Sequence, residues 1–345
     1  MDLSRFPRLP LLDLPSPIEP LDGLARHLGD GLAGVRLWVK RDDLARFGLG
    51  GNKLRKLEYL LGAARAEGAD TVITVGAIQS NHARLTAAAA ARTGFACELF
   101  LTRSVPRTDD AYAHNGNRLL DDLFGATVHE LAAGGDALAL AERRADELRA
   151  AGRRVYVFPS GGSSPVGCLG YAACAGEIFA QADAMGLSLN QIIVPNGSCG
   201  THAGLAAGLR ADGHDPRLAK SYAVLETGER AGAITLDKAN ATLAILAPGL
   251  TLTSDDIVID GAHRGPGYGI PTAGMLEAVR LLARTEGLLL DPVYSGKAFA
   301  GLLHDVRGGL YPSGANVLFV MTGGVPGLFA YPDVLTGQVE QTTAP

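Results

Sequence analysis

Residues 50–59 read Gly-Gly-Asn-Lys-Leu-Arg-Lys-Leu-Glu-Tyr, and this stretch predicts the start of a helix. The two glycines allow a sharp backbone turn, and Asn52 is a residue type that favours the N-cap position. Leucines then recur at helical spacing as far as Leu61. Lys53 therefore falls in the first helical turn, where the helix dipole and partial burial lower the pKa of its amine and favour attack on a carbonyl group. Taken alone, the stretch also fits a solvated lysine at a helix start.

The composition is typical of a well-packed globular protein. The chain has 345 residues, of which 47% are hydrophobic and 19% are charged, enough for one large domain or two of medium size. A formal net charge of −5 argues against nucleic acid or an anionic membrane as a partner. Only six of the 31 basic residues are lysines, so few positions can react with an aldehyde.

Targeting and metal-binding signals are missing from the sequence. Residues 1–20 contain prolines and charges rather than an apolar signal core, and no apolar run reaches the length of about 18 residues that spans a bilayer. The four cysteines show neither a CxxC pair nor metal-ligand spacing, and the eight histidines are scattered. We therefore expect a cytoplasmic protein with free thiols, no metal site and no membrane partner.

Strand-like and helical segments alternate along most of the chain. Apolar runs predict strands at 37–40, 71–76, 98–101, 126–131, 155–158, 191–195, 222–225 and 317–321. Helices are predicted at 84–92, 117–123 and 135–151. Continuous apolar strands separated by helices indicate an α/β fold with open, twisted, mostly parallel sheets, in which ligands bind at the carboxyl ends of the strands. Residues 229–262 are less regular, and the sequence assigns them no role.

The loop at 197–204, Gly-Ser-Cys-Gly-Thr-His-Ala-Gly, follows a predicted strand and opens a helix. Small residues with free backbone N–H groups at a helix start form an anion cradle that suits a phosphate. The loop is neither a Walker A motif nor a clean GxGxxG fingerprint, which argues against a nucleotide-binding protein and a nicotinamide-dependent dehydrogenase. A phosphate cradle without nucleotide motifs, together with one carbonyl-reactive lysine, points to pyridoxal phosphate. A plain glycine-rich turn is the alternative.

A second informative turn lies at 76–84, Gly-Ala-Ile-Gln-Ser-Asn-His-Ala-Arg, again between a predicted strand and a helix. The simpler interpretation is that Ser80 or Asn81 only caps the helix. In a cofactor site, the exposed amides and side chains would bind a substrate carboxylate. Asn81 would then hydrogen-bond the phenolic oxygen of the cofactor, and the Ser80 hydroxyl would relay a proton.

Six motifs in order along the chain resemble the D-cysteine desulfhydrase and aminocyclopropane-carboxylate deaminase family. They are Gly-Gly-Asn-Lys-Leu-Arg-Lys-Leu-Glu at 50–58, Gln-Ser-Asn-His-Ala-Arg at 79–84, Gly-Thr-His-Ala-Gly-Leu at 200–205, Pro-Gly-Tyr-Gly-Ile-Pro at 266–271, Asp-Pro-Val-Tyr-Ser-Gly-Lys at 291–297 and Thr-Gly-Gly at 322–324. The resemblance runs from about Leu3 to Tyr331. It implies pyridoxal phosphate as cofactor, the tryptophan synthase β-like fold (fold type II) and a homodimer. It also implies a larger cofactor domain, residues 1–55 and 166–345, with a smaller α/β domain, residues 56–165, inserted into it.

The resemblance implies a role for each matching residue. The cofactor-binding residues would be Lys53, Asn52, Asn81, Ser198, Cys199, Gly200, Thr201, Ser295 and Thr322. The substrate-binding residues would be Gln79, Ser80, Asn81, His82, Tyr268 and Tyr294. The catalytic residues would be Lys53, Ser80, Tyr268 and Tyr294. Lys53 would bind the cofactor aldehyde and act as base toward the substrate Cα, and the amides of 198–201 would hold the phosphate. Tyrosines that merely pack in glycine-rich turns are the alternative for Tyr268 and Tyr294.

Ser295 and Thr322 distinguish the members of this family. The cyclopropane deaminases have a glutamate and a leucine there, whereas the desulfhydrases resemble this chain. A hydroxyl beside the pyridine nitrogen does not favour ring protonation as a carboxylate would, so the ring is a weaker electron sink that suits β-elimination better than ring opening. His82, where the deaminases carry glutamine, favours the same conclusion.

The expected reaction is elimination of the β substituent from a small amino acid, with pyruvate and ammonia as products. From D-cysteine the leaving group is hydrogen sulfide; loss of sulfite from L-cysteate is the alternative, and no residue in the sequence decides between them. A cyclopropane deaminase and a catalytically silent small-molecule-binding protein are less favoured.

Overall fold

The computed structural model describes residues 1–45 and 47–336. Within these residues, helices and strands alternate for most of the chain. The strands are β1 (Ile18–Pro20), β2 (Arg36–Lys40), β3 (Thr71–Ala77), β4 (Ala96–Thr102), β5 (Thr127–Leu131), β6 (Val155–Phe158), β7 (Gln191–Asn196), β8 (Ala219–Ala223), β9 (Val258–Asp260) and β10 (Asn316–Val320). The α-helices are α1 (Asp22–Leu28), α2 (Lys53–Ala66), α3 (Asn81–Thr93), α4 (Asp110–His114), α5 (Asn117–Leu123), α6 (Ala137–Ala150), α7 (Pro165–Ala184), α8 (Gly200–Ala211), α9 (Gly228–Leu246), α10 (Ala273–Glu286), α11 (Ser295–Arg307) and α12 (Pro332–Thr336).

The strands form two sheets. The first has the order β1-β2-β10-β7-β8-β9, in which β1 runs antiparallel to β2 and the other described pairs are parallel. The second has the order β5-β4-β3-β6, and its described pairs are all parallel. The predicted α/β fold with mostly parallel sheets is therefore confirmed.

The two sheets come from different parts of the chain. The four strands of the second sheet lie between residues 71 and 158, whereas the described strands of the first lie before residue 41 or after residue 190. This separation supports an inserted domain at 56–165. The domain bounds themselves stay a prediction, and residues 46 and 337–345 of the larger domain lie outside the described residues.

The centre of the first sheet is the best-buried part of the fold. Every residue of β8 and β10 is buried, and so is every residue of β7 after Gln191. Helices on both faces bury a parallel sheet in this way, which explains why β7 and β10 contain nearly continuous apolar runs. Among the described helices, none combines the length and the apolar character needed to cross a bilayer.

Helix α9 is one of several helices that the sequence did not predict; α7, α10 and α11 are others. It occupies most of the segment 229–262, to which the sequence gave no structure. Its buried residues as far as Thr242 are Ala231, Thr235, Ala239 and Thr242, which are small or β-branched, and the buried leucines 243 and 246 come only at its end. Because the earlier residues carry little apolar surface, the helical period is weak over most of the helix even though it packs closely on α7 and α8.

Strand β8 starts earlier than predicted, at Ala219 rather than Tyr222. The first residues of the strand include Lys220 and Ser221, both buried. Lys220 is paired with Asp305 of α11. The Ser221 hydroxyl accepts from the Asn196 amide at 3.0 Å and lies 2.8 Å from His202 Nδ1. Polar side chains satisfied in this way belong to the core, but in the sequence they are typical of a loop.

A buried cluster of charges fixes the position of helix α2. Arg55, two residues after the start of the helix, forms paired hydrogen bonds with Asp42 at 2.7 and 2.8 Å and with Glu177 of α7 at 2.9 Å each. Lys40 at the end of β2 also binds Glu177, and the Tyr171 hydroxyl donates to Asp42 at 2.6 Å. The cluster ties the first turn of α2 to β2 and α7, and so positions Lys53.

We expect Arg55→Met to lower the free energy of unfolding by about 3–5 kcal/mol, because it leaves the carboxylates of Asp42 and Glu177 without the guanidinium that neutralises them. Urea denaturation followed by circular dichroism measures the change. Arg217→Met is the matched control, since the pair of Arg217 with Asp215 is exposed and should contribute almost nothing. An unchanged urea midpoint for Arg55→Met would show that the cluster does not hold α2.

Candidate active site

A cavity of about 310 Å³ lies at the carboxyl ends of β3, β7 and β10. This is where ligands bind in open parallel sheets. The cavity brings together most of the residues that the sequence singled out. They are Asn52, Lys53, Ser80, Asn81, His82, Ser198, Cys199, Thr201, Tyr268, Tyr294 and Thr322. No aspartate or glutamate is among the described residues that line it.

Lys53 is the first residue of α2 and lies half-buried in the cavity wall. Burial lowers the pKa of its amine to about 8, which leaves about a tenth of the amine neutral at pH 7, far more than for an ordinary lysine. The structure differs from the prediction for Asn52, whose side chain does not cap the helix. Its amide instead donates to the Thr201 hydroxyl at 3.1 Å, and so links the lysine turn to the start of α8.

The turn between β3 and α3 presents polar groups to the cavity. Ser80 is the N-cap of α3 and accepts from the Ala83 N–H at 3.1 Å, so its hydroxyl both caps the helix and lines the cavity. His82 lies within 2.9 Å of the Thr74 hydroxyl through Nε2. Burial, followed by the nearby positive charge of Lys53, lowers the pKa of His82 well below its usual range, so the imidazole is neutral.

Gln79 is turned away from the cavity. Its amide nitrogen donates to the carbonyls of Tyr112 and Asn115 at 2.6 and 2.8 Å, and its amide oxygen accepts from the N–H of Asn117 at 2.9 Å. With all three of these hydrogen bonds made inside the protein, Gln79 holds the turn in place and leaves substrate contact to its neighbours.

The loop from β7 to α8 forms a narrow cradle at the other end of the cavity. Cys199 has a left-handed backbone (φ +67°), and α8 begins at the next residue with N–H groups that have no intrahelical partner. A Cβ on Gly200 would stand 2.4 Å from the Ser163 hydroxyl and 2.7 Å from the Lys56 amine. Gly200 therefore lies behind the cavity wall, and its missing side chain allows Ser163 and Lys56 to approach the helix start.

The two predicted tyrosines face each other in the cavity. The hydroxyls of Tyr268 and Tyr294 are 2.5 Å apart. Burial raises the pKa of both phenols, so both stay protonated and can donate a proton. The loop that carries Tyr268 is held by Lys297, whose amine donates to the carbonyls of Arg264 and Gly267 at 2.7 and 2.9 Å.

Ser295 and Thr322 occupy different environments, although both were predicted to contact the cofactor. Thr322 lines the cavity, and its carbonyl accepts the N–H of Asn52 at 3.1 Å. The Ser295 hydroxyl is fully buried; it donates to the Asp291 carboxylate at 2.6 Å and accepts from the Asp291 N–H at 2.7 Å. Thr322 is thus the hydroxyl that the cavity presents, whereas Ser295 is engaged by Asp291.

The cavity also includes residues that the sequence did not single out as site residues. Thr102 ends β4 and Ser104 follows it, with their hydroxyls 2.6 Å apart, and Ser160 and Gly161 follow β6. Both segments come directly after predicted strands of the second sheet. Their position at the carboxyl ends of those strands is the signal that would have found them.

These residues fit pyridoxal phosphate. The amine of Lys53 is buried, with its pKa lowered, as carbonyl chemistry requires. The α8 cradle offers free N–H groups and the Ser198 hydroxyl to an anion. The absence of carboxylates among the described lining residues leaves nothing there to repel a phosphate.

Comparison with known proteins agrees with this geometry. The family model described as pyridoxal-phosphate dependent enzyme matches residues 10–323. The chain belongs to the pyridoxal-phosphate-dependent enzyme family. Its cofactor is therefore pyridoxal phosphate.

Two relatives narrow the comparison within the family. The chain is 44% identical over 330 residues to D-cysteine desulfhydrase of Salmonella schwarzengrund (strain CVM19633) and, at the same identity, to that of Salmonella typhi. In each case the match covers 95% of this chain and 97% of the relative.

Solved structures share the fold. An ACC deaminase homologue superposes with a TM-score of 0.86 at 37% identity, covering 98% of both chains. O-ureido-L-serine synthase superposes with a TM-score of 0.62 at 18% identity, covering 95% of this chain and 94% of its own, and at that identity the likeness shows the fold alone. The predicted fold type is confirmed.

We expect Gly200→Ala to weaken the binding of pyridoxal phosphate at least about tenfold, because the added methyl group would displace Ser163 and Lys56 from the cradle. Titration of the cofactor-free protein with pyridoxal phosphate, followed by absorbance, measures the affinity. Gly232→Ala is the control, since a Cβ at this position of α9 meets nothing within 4 Å. Equal affinities for both variants would contradict the assignment of the cradle.

The lowered pKa of Lys53 predicts how cofactor attachment depends on pH. Only the neutral amine attacks an aldehyde, so the attachment rate should rise with pH and level off above about 8. Stopped-flow mixing of the cofactor-free protein with pyridoxal phosphate between about pH 6 and 10 gives the profile. The same measurement with free Nα-acetyllysine, whose amine has a pKa of about 10.4, shows how much of the pH dependence comes from titration of the cofactor itself. A protein profile parallel to that of the free amine would contradict the lowered pKa, and Lys53→Ala should show no attachment.

Proposed function

We propose that this chain is a carbon–sulfur lyase that converts D-cysteine and water to pyruvate, hydrogen sulfide and ammonia. The observation that carries the proposal is the meeting of Lys53, with its lowered pKa, and the Tyr268–Tyr294 pair in one cavity. These are a base and a proton donor, the two groups that a β-elimination needs. The name of the relatives that are 44% identical supports D-cysteine as the substrate.

When bound, pyridoxal phosphate withdraws electrons from the substrate Cα and so acidifies its proton. The neutral amine of Lys53 accepts that proton. Ser80 and the first amides of α3 orient the substrate carboxylate, since a helix start favours an anion. A protonated hydroxyl of the Tyr268–Tyr294 pair donates a proton to the departing sulfur. The enamine that is released hydrolyses to pyruvate and ammonia.

Each remaining site residue has a role in the proposal. The backbone amides of 198–201 hold the phosphate, and Asn52 keeps Thr201 in place for this task. Asn81 would hydrogen-bond the phenolic oxygen of the cofactor. Thr322 would supply the hydroxyl beside the pyridine nitrogen, and the ring would then be a moderate electron sink.

The cavity favours a thiol over a sulfonate as the leaving group. A sulfonate stays charged throughout, and it needs a cation beside it when it is buried. Lys53 and His82 are the basic side chains among the described lining residues. Lys53 is required as the base, and His82 is neutral because its pKa is lowered by burial. L-cysteate would therefore lack a counter-ion at its β end.

The assembly and location of the protein are further parts of the proposal. A homodimer rests on the family resemblance. Leu119 and Leu123 on one face of α5, together with the nearby Phe329, are exposed and available to such an interface. A cytoplasmic location is supported by the four cysteines, all free and buried.

Assays of the purified holoenzyme with separate substrates test the function. We expect pyruvate and sulfide in equal amounts from D-cysteine, and at least about hundredfold slower turnover of L-cysteine, L-cysteate and aminocyclopropane-carboxylate. Lys53→Ala should be inactive with every substrate, which excludes background reaction of the free cofactor. Sulfite from L-cysteate would move the assignment to a sulfo-lyase, and oxobutyrate from the cyclopropane would move it to a deaminase.

A further inference from the structure

Asn117, the first residue of α5, is fully buried and binds the turn that carries Asn81. Its backbone N–H donates to the Gln79 amide oxygen at 2.9 Å. Its side-chain nitrogen donates to the Gln79 backbone carbonyl at 3.1 Å and to the Asn81 amide oxygen at 2.9 Å. Three hydrogen bonds from one residue thus hold a turn whose members line the cavity.

These bonds determine which way the amide of Asn81 faces. A backbone carbonyl only accepts hydrogen bonds, so the Asn117 atom beside the Gln79 carbonyl must be the NH2 group. The second proton of that NH2 group points at Asn81, and the Asn81 atom that receives it must be the oxygen. The Asn81 NH2 group then faces the opposite way. It lies 2.8 Å from where a Cβ on Gly324 would stand, in the loop that follows Thr322 in the cavity wall.

The contact surface around Asn117 leaves little room for adjustment. Gly116 has φ +61°, and a Cβ there would meet the Pro326 carbonyl at 2.6 Å and the Gln79 amide oxygen at 2.8 Å. The Gln79 side chain is itself held by Tyr112 and Asn115. The donors of Asn117 therefore keep a fixed position relative to Asn81.

We propose that Asn117 is a positioning residue that fixes the Asn81 amide with its NH2 group toward the phenolic oxygen of pyridoxal phosphate. This inference rests on the proposed contact of Asn81 with the cofactor. An ionised phenolic oxygen only accepts hydrogen bonds, so the NH2 group stabilises it, whereas the amide oxygen of a flipped Asn81 would repel it.

The chemistry at position 117 supports a role beyond packing. The Asn117 amide oxygen is buried without a hydrogen-bond partner among the described residues. An unsatisfied buried oxygen is costly, and an apolar side chain of similar size would avoid that cost. An amide is needed here because it supplies two protons from one nitrogen, one for Gln79 and one for Asn81. A carboxylate of the same shape supplies none.

The test uses the visible absorption of the substrate-free holoenzyme, in which the ionised and the protonated phenolic oxygen give separate bands. Asn117→Asp replaces the two side-chain N–H donors with a carboxylate, which only accepts hydrogen bonds. The Asn81 NH2 group can then turn toward the carboxylate and away from the cofactor. We expect the ratio of the ionised to the protonated band to fall about tenfold, as it should in Asn81→Ala, because each variant removes one hydrogen bond to a charged oxygen. An unchanged ratio in Asn117→Asp would overturn the proposal.

A double variant separates positioning from any direct effect of the new charge. If Asn117 acts through Asn81, the ratio in Asn81→Ala/Asn117→Asp should equal that in Asn81→Ala alone. Additive changes would mean that Asn117 influences the cofactor by another route, and would contradict the proposal. Asn117→Leu, which adds no charge, should also lower the ratio and provides the same test if the aspartate variant folds poorly.

Asn240→Asp is the matched structural control. Asn240 of α9 makes a comparable pair of bonds, donating to the Leu252 carbonyl at 3.1 Å and accepting from the Leu252 N–H at 2.8 Å, but it does not line the cavity. Its replacement should lower the melting temperature without changing the absorption ratio. Because no substrate is present, the outcome is independent of whether D-cysteine is the substrate.

Discussion

The salt bridges of Arg55 with Asp42 and Glu177 are the interactions on which the rest of the site depends. A buried guanidinium needs carboxylates around it, and here one comes from the loop after β2 and the other from α7. Because Arg55 lies half a turn from Lys53 on the same helix, the pairing also determines where the lysine amine lies. The Gly50 carbonyl accepts from the Arg84 guanidinium at 2.9 Å, which holds the other side of the lysine turn from α3. Lys53 is thus fixed by contacts that themselves take no part in the chemistry.

Parallel sheets explain how distant motifs reach one cavity. The turns after β3, β7 and β10 all leave their sheets at carboxyl ends, and each continues into a helix or a tight glycine turn. Helix starts at Ser80 and Gly200 then direct free N–H groups to the same space. One of them suits a substrate carboxylate and the other suits a phosphate, so a single architectural rule provides both anion sites.

Much of the fold and of the site was predictable from the sequence, and the exceptions have physical reasons. The central parallel strands β3, β7 and β10 were found because they are largely buried and therefore largely apolar. Helix α9 was missed because its buried face is mostly alanine and threonine, with leucine only at Leu243 and Leu246 near its end. Lys53 was found because a lysine after a glycine turn is unusual. The orientations of the Gln79 and Ser295 side chains were not predictable. Each is determined by hydrogen bonds that form only in the folded chain, such as those to Asn115 and Asp291.

The charge distribution of the cavity suits both a lysine of lowered pKa and an anionic cofactor. The pKa values of Lys56 and His82 are lowered chiefly by burial and further by the positive charge of Lys53. A carboxylate among the lining residues would relieve this repulsion, but it would also stabilise the protonated form of Lys53 and remove the nucleophile. In the proposed site, the start of α8 would hold the phosphate away from the reacting amine, so the cavity would take up an anion without a carboxylate beside Lys53.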